Sequence, residues 1–98
     1  MKQSYLINGK RVVNKTQLHD YLIQVFKLPE YYGRNLDALW DCLSTDSAMK
    51  KITIIHTESL VNALGDYSKS LIQLFDDLSK KRSIEIHLHT KGRKNETN

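Results

Sequence analysis

The chain has 98 residues, 40% of them hydrophobic and 27% charged, which is the size and composition of one soluble globular domain. It contains no apolar run of about 18 residues and no signal-peptide apolar region at its start, so we expect neither a membrane span nor export. A single cysteine also favours the cytoplasm. Six of the 15 basic and two of the 11 acidic residues fall in segment 80–98, so the net charge of +4 comes from that segment alone. Residues 1–79 are neutral overall, and their charge does not indicate an anionic partner.

The first predicted elements are a short strand and a helix. Residues 5–7 have the composition of a strand, and Asn8-Gly9 is a turn signal that closes it. Apolar residues then recur at helical spacing over 18–26, with Thr16 as the predicted N-cap. Pro29 ends this helix, because proline disfavours helical geometry at the residue before it.

The most informative stretch is LPEYYGRNLDALWDCL, residues 28–43. Asn35 is a good N-cap and predicts a helix from about 36 to 44. Asp37 and Asp41 lie one turn apart on it and repel each other by about 0.2–0.5 kcal/mol, and no basic residue stands three or four positions from either inside the helix. Such an acidic stripe beside Trp40 is typical of a surface whose positive partner is another molecule; the alternative is an ordinary solvated face.

The second half of the chain predicts a strand, two helices and a last strand. The β-branched run 52–55 is typical of a central strand in a parallel sheet. Thr57 or Ser59 is the predicted cap of a third helix, which Gly65 and Asp66 break, and a fourth helix follows over 67–78. Residues 84–88 then alternate between apolar and polar, as a strand with one wet face does.

The predicted fold class is therefore α/β, in the order β-α-α-β-α-α-β. Crossovers of this length predict a three-stranded parallel sheet with right-handed connections and the second strand in the centre. We expect one domain over residues 1–89 and a disordered basic tail over 90–98, since the tail has no large apolar residue.

Several other site chemistries find little support in the sequence. No glycine pattern of a phosphate-binding loop occurs. His87 and His89 point to one side of a strand, but no further ligand stands at a telling spacing, so we predict no metal and no other cofactor. A basic RNA-binding protein that uses the tail is one alternative, although the tail has no aromatic residue for stacking. A small enzyme that uses carboxylates and histidines is another.

The stretch 28–43 closely resembles the signature of the barstar family, which are small intracellular inhibitors of secreted bacterial ribonucleases. The resemblance is close over these sixteen consecutive residues. In the rest of the chain it is weak and mainly concerns the order of the predicted elements. It implies the architecture predicted above. It also implies that the chain is not an enzyme, but binds a barnase-like ribonuclease one to one and blocks its active site with the acidic helix and the preceding loop.

The resemblance also implies roles for single residues. Asp41 matches the residue that enters the phosphate pocket of the ribonuclease. Asp37 matches a residue that meets an arginine of the guanine-recognition side, and Tyr31 matches a residue that lies against the catalytic histidine. The same surface is expected to include Tyr32, Gly33, Arg34, Asn35, Leu36, Trp40, Ser44, Asp46 and, in the fourth helix, Asp77.

Two of these positions depart from the family pattern. Arg34 stands where the best-known member has an acidic residue, and Asp46 stands about where that member has a tryptophan. We expect Asp37 or an acidic residue of the partner to neutralise Arg34. These departures leave open which ribonuclease is bound, and also the alternative of an interaction module without a ribonuclease target.

Overall fold

The computed structural model of the protein describes residues 2–91. The strands are β1 (Gln3–Asn8), β2 (Lys50–Ile55) and β3 (Ile84–Leu88). The helices are α1 (Lys15–Phe26), α2 (Leu36–Thr45), α3 (Thr57–Leu64) and α4 (Asp66–Leu78), and a 3-10 turn covers Gly9–Arg11. Most of the predicted tail, residues 92–98, lies outside the described residues, so the domain boundary at residue 89 stays a prediction.

The three strands form one parallel sheet in the order β1-β2-β3, which confirms the predicted fold class and the central place of β2. The register pairs Ile7 with Ile54 and Ile52 with Ile86. Side chains alternate between the two faces of a strand, so Ile7, Ile52 and Ile54 share the face that is almost fully buried. The β-branched run of β2 is thus explained by its central position.

The four helices supply most of the remaining core, with α1, α2 and α4 contributing more residues than α3. Their fully buried side chains belong to one hydrophobic cluster with Ile7, Ile52 and Ile54. The helical members with an exposure of 2% or less are Leu18, Leu22, Leu39, Leu43, Leu60, Leu71, Phe75 and Leu78. Within α1, α2 and α4 they recur at intervals of three and four residues, so each of these helices turns one apolar stripe to the sheet and a polar face outward. None of the helices within residues 2–91 is long and apolar enough to cross a membrane.

Two helices have N-caps other than the predicted ones. The predicted cap at Thr16 is wrong: Asn14 caps α1, its Oδ1 accepting from Gln17 N at 2.9 Å, and asparagine is at least as good a cap as threonine. The predicted cap at Thr57 or Ser59 is also wrong. Helix α3 begins after His56, which has a left-handed backbone (φ 56°) and makes no capping bond with its side chain.

Backbone carbonyls from beyond β3 take over the role of a cap on α3. The oxygens of His89 and Lys91 accept from the backbone nitrogens of Thr57 and His56, both at 3.2 Å. Gly65 then separates α3 from α4 with φ 59° and ψ −131°, a combination open to glycine and strained for other residues. The predicted break between the third and fourth helices is thus confirmed, and α4 begins at Asp66, one residue before the predicted start at 67.

Candidate partner-binding surface

The loop between α1 and α2 separates its two tyrosines onto opposite sides. Lys27 ends α1 in a left-handed conformation, and the backbone nitrogen of Tyr32 donates to the carbonyl of Pro29 at 3.0 Å. Tyr32 is 6% exposed and belongs to the core, whereas Tyr31 is 86% exposed. Tyr32 therefore anchors the loop, and Tyr31 is the tyrosine that a partner can contact.

The anchor is completed by a histidine that the sequence analysis did not single out. His19 is 3% exposed; its Nδ1 lies 2.6 Å from the hydroxyl of Tyr32 and its Nε2 lies 2.9 Å from the hydroxyl of Tyr67. These contacts join α1, the loop and α4. The available signal was the position of His19 beside Leu18, on the apolar side of α1.

Burial sets the protonation of this cluster. Burial of His19 lowers the pKa of its imidazole below the ordinary value of 6.5, and the positive charge of Arg34 adds to that effect. Burial likewise raises the pKa of the Tyr32 and Tyr67 hydroxyls. A neutral imidazole has one donor and one acceptor nitrogen, so one tyrosine donates to His19 and the other accepts from it.

Arg34 is held by α1 rather than by the acidic helix. One guanidinium nitrogen donates to Asp20 Oδ1 at 2.7 Å and to the carbonyl of Thr16 at 3.1 Å. The counter-charge within the chain is therefore Asp20, and the expectation that Asp37 supplies it is wrong. The backbone of Arg34 is left-handed (φ 56°), which is uncommon for a residue with a side chain.

Helix α2 presents the predicted acidic stripe. Asn35 Oδ1 accepts from the backbone nitrogen of Ala38 at 2.7 Å, which confirms Asn35 as the N-cap. Asp37 and Asp41 are both exposed, and neither forms a salt bridge with another residue in the described range 2–91. The negative charge of the stripe is thus left uncompensated by this part of the chain.

Trp40 lies in an open groove between α2 and α4. The groove has a volume of about 430 Å³ and brings Asp37 and Asp77 to the same depression. Trp40 itself is half-buried and packs against the core. Asp77 accepts from Gln73 Nε2 at 3.0 Å, and Leu36 and Leu74 add apolar lining. The groove therefore combines an apolar floor with carboxylates from two helices.

Asp46, unlike Asp37 and Asp41, has a salt-bridge partner within residues 2–91 of the chain. It pairs with Lys50 at 2.9 Å, and the lysine side chain is only 4% exposed. A hydrogen bond from the backbone nitrogen of Ala48, reinforced by Lys50, lowers the pKa of the Asp46 carboxyl. Asp46 thus stabilises the link from α2 to β2, and its contact with a partner stays a prediction.

The remaining predicted positions flank the stripe. Gly33 is exposed in the loop, while Ser44 lies half-buried near the end of α2. Cys42, half-buried as well, packs against the core from the same helix.

The two histidines of the last strand lie elsewhere, on the sheet face away from the main core. His87 and His89 line a depression there with Lys51 and Thr53. The His87 ring bonds to Glu85, which also pairs with Lys2 at 2.7 Å. Within the described residues, no group of three or more His, Cys, Asp or Glu side chains is placed to hold a metal ion.

The element order, the three-stranded parallel sheet and the acidic second helix define a small α/β protein with a barstar-like fold. The family model described as Barstar (barnase inhibitor) matches residues 3–91. The chain is also similar to the "Putative ribonuclease inhibitor YrdF" of Bacillus subtilis (strain 168), with 31% identity over 84 residues that cover 85% of this chain and 92% of that protein. The chain therefore belongs to the barstar family.

Proposed function

We propose that the protein is a cytoplasmic inhibitor of a secreted, barnase-like ribonuclease, and that it binds the enzyme one to one and blocks its active site. The observation that carries the proposal is the uncompensated pair Asp37 and Asp41 on a capped helix, next to the exposed ring of Tyr31. The family match and the name of the Bacillus subtilis relative support the same class of function.

The proposed mechanism is electrostatic mimicry of RNA. A ribonuclease active site is built to hold a polyanion, so its cations attract carboxylates as well as phosphates. Asp41 takes the place of a phosphate in this proposal, Asp37 meets a cation on the base-recognition side, and Tyr31 covers the catalytic histidine. The helix has no bond that the enzyme can cleave, so it occupies the site without turnover and without a cofactor.

The rigidity of the surface supports this mechanism. The Asn35 cap fixes the start of α2, and the Tyr32–His19 contact fixes the loop before it. A surface that is already ordered loses less conformational entropy on binding than a mobile one. We therefore propose that free inhibitor and bound inhibitor present α2 in the same position.

The groove beside Trp40 extends the proposed contact area to α4. Asp77 lies there with Asp37, so a cationic side chain of the enzyme can meet two carboxylates and rest against the indole ring. Leu36 adds apolar contact. The remaining predicted residues, Gly33, Ser44 and Asp46, would form the edge of the interface.

The proposal is tested with the secreted ribonucleases of the source organism. Wild-type protein is expected to titrate one of them to zero activity at one equivalent. Asp41→Ala is expected to weaken binding more than any other single alanine change, by about 4–8 kcal/mol, because it leaves enzyme cations buried without a counter-charge. Asp76→Ala is the matched control, since Asp76 is an exposed aspartate of α4 that does not line the groove.

The alternatives give different results in the same assays. An RNA-binding protein would shift RNA in the absence of any ribonuclease and would lose that activity on deletion of residues 92–98, which keeps the backbone contacts of Thr90 and Lys91 with α3. An interaction module without a ribonuclease target would inhibit none of the secreted enzymes. Inhibition that survives Asp41→Ala unchanged would contradict occlusion by α2.

A further inference from the structure

We propose that a second pocket, next to the acidic helix, accepts a carboxylate of the partner ribonuclease. This pocket, called the α1 pocket here, has a volume of about 300 Å³ and is lined by Lys15, Thr16, His19, Arg34, Asn35 and Tyr67. The inference rests on the proposed function. It adds that the partner presents an acidic side chain beside its cationic active site.

Lys15 supplies the first positive charge of the α1 pocket. Its ammonium nitrogen lies 4.4 Å from the centre of the Tyr67 ring, which holds the side chain over the pocket by a cation–π contact. Lys15 forms no salt bridge with a residue in the range 2–91. Its charge is therefore available to an incoming anion.

Arg34 supplies the second positive charge of the α1 pocket, and its ion pair with Asp20 compensates one positive charge. The bonds to Asp20 and to the Thr16 carbonyl come from one guanidinium nitrogen, and a guanidinium has five N–H donors. The three side chains together leave one net positive charge. A singly charged carboxylate matches that charge better than a doubly charged phosphate does, because a phosphate would stay half uncompensated.

The position of the α1 pocket indicates where its ligand comes from. Arg34 and Asn35 directly precede α2, and Asp37 lies in the first turn of that helix. A protein that covers the acidic stripe thus also reaches the pocket. A uniformly basic enzyme would place like charges against Lys15, which lowers affinity, whereas an enzyme with an acidic residue at this point gains a charge pair.

The experiment compares Lys15→Gln and Lys15→Glu with wild type against the ribonuclease that the wild-type protein inhibits. We expect the affinity to fall about tenfold for Lys15→Gln and about 100-fold for Lys15→Glu, since neutralisation loses one charge pair and reversal adds repulsion. Lys81→Gln, a change of an exposed lysine between α4 and β3, is the matched control and should stay within about twofold. Urea unfolding checks that Lys15→Gln stays folded: lysine and glutamine have similar helix propensities, so the loss of stability should not exceed the small contribution of the cation–π contact with Tyr67.

Further measurements identify the anion and separate a failure of this inference from a failure of the proposed function. Replacing the facing acidic residue of the ribonuclease by lysine should restore binding to Lys15→Glu. Two results together would overturn the proposal in favour of a small-anion site: inorganic phosphate binds wild type but not Lys15→Gln, and Lys15→Gln binds the ribonuclease as tightly as wild type does. Wild-type inhibition with unaltered affinity of both Lys15 variants would overturn this inference alone, whereas absence of any wild-type inhibition would overturn the proposed function and this inference together.

Discussion

The Nδ1 atom of His19 lies 2.6 Å from the hydroxyl oxygen of Tyr32, and this contact ties the middle of α1 to the loop that carries Tyr31. Both residues are almost fully buried, so the hydrogen bond lies in a low-dielectric environment and the loss of either partner leaves the other unsatisfied. The surface that we assign to the ribonuclease is thus supported from behind by a polar cluster in the core.

Removal of the Tyr32 hydroxyl should therefore cost more stability than its size suggests. We expect Tyr32→Phe to lower the free energy of unfolding by about 1–3 kcal/mol, because His19 Nδ1 loses its partner in a buried site. Tyr67→Phe is the matched control and should cost less, since Tyr67 is only half-buried. Urea denaturation of wild type and the two variants measures the loss in the free energy of unfolding. A larger loss for Tyr67→Phe than for Tyr32→Phe would contradict the greater importance assigned to the Tyr32 contact.

Stability should also depend on pH through His19. Its pKa is lowered in the folded protein, so the unfolded chain binds the proton more readily and acid favours unfolding. The contribution is complete above the ordinary histidine value of 6.5, and is lost as the pH falls through 6.5 towards the lowered folded pKa. His19→Gln should flatten this part of the stability profile. Urea midpoints at about pH 7.5, 6.5 and 5.5 provide the measurement, and an equal slope in the variant would assign the pH dependence to other groups.

Trp40 should contribute to stability as well as to binding. Trp40→Ala is expected to destabilise by about 2–3 kcal/mol, below the range of about 3–5 kcal/mol for fully buried aromatic residues, because one edge of the half-buried ring faces the groove. Trp40→Phe keeps most of the apolar contact and serves as the comparison. A loss of less than about 1 kcal/mol for Trp40→Ala would show that α2 is not seated through this ring.

Arg34→Glu should slow association with the ribonuclease. The change removes the ion pair with Asp20, places two carboxylates side by side and reverses one charge at the mouth of the α1 pocket. Charges at the edge of an interface act mainly on the association rate and its salt dependence. Stopped-flow association at two ionic strengths tests this, with Arg34→Gln as the neutral comparison. Faster association of the Glu variant at low salt would indicate a uniformly basic partner.

The sequence predicted the elements whose signals are local or periodic. The strand order and the central β2 followed from the β-branched run 52–55 and from crossover lengths that require parallel pairing. The start of α2 followed from Asn35, because an N-cap acts within three residues. The groove shared by Asp37 and Asp77 depended on the family resemblance, since no local pattern links two residues 40 positions apart.

Two features of the surface that were not predicted depend on contacts between distant segments. Arg34 has Asp37 three positions away, yet the left-handed backbone at Arg34 turns its side chain to Asp20 on α1. His19 acquires its role only when Tyr32 and Tyr67 are packed against it. Neither arrangement leaves a spacing in the sequence that separates it from an ordinary solvent-exposed or core position.

The carbonyls that meet the first turn of α3 come from His89, Thr90 and Lys91, the three residues that directly follow β3. Helix α3 cannot complete its N-terminus until β3 has paired with β2 and brought these carbonyls to it. A nascent chain still short of Ile84 lacks both the third strand and these hydrogen bonds, so the domain should close only after β3 and Lys91 have left the ribosome. For the same reason, a shortened protein or a fusion junction placed before Lys91 should fray α3, whereas a junction placed after Lys91 preserves all three carbonyls.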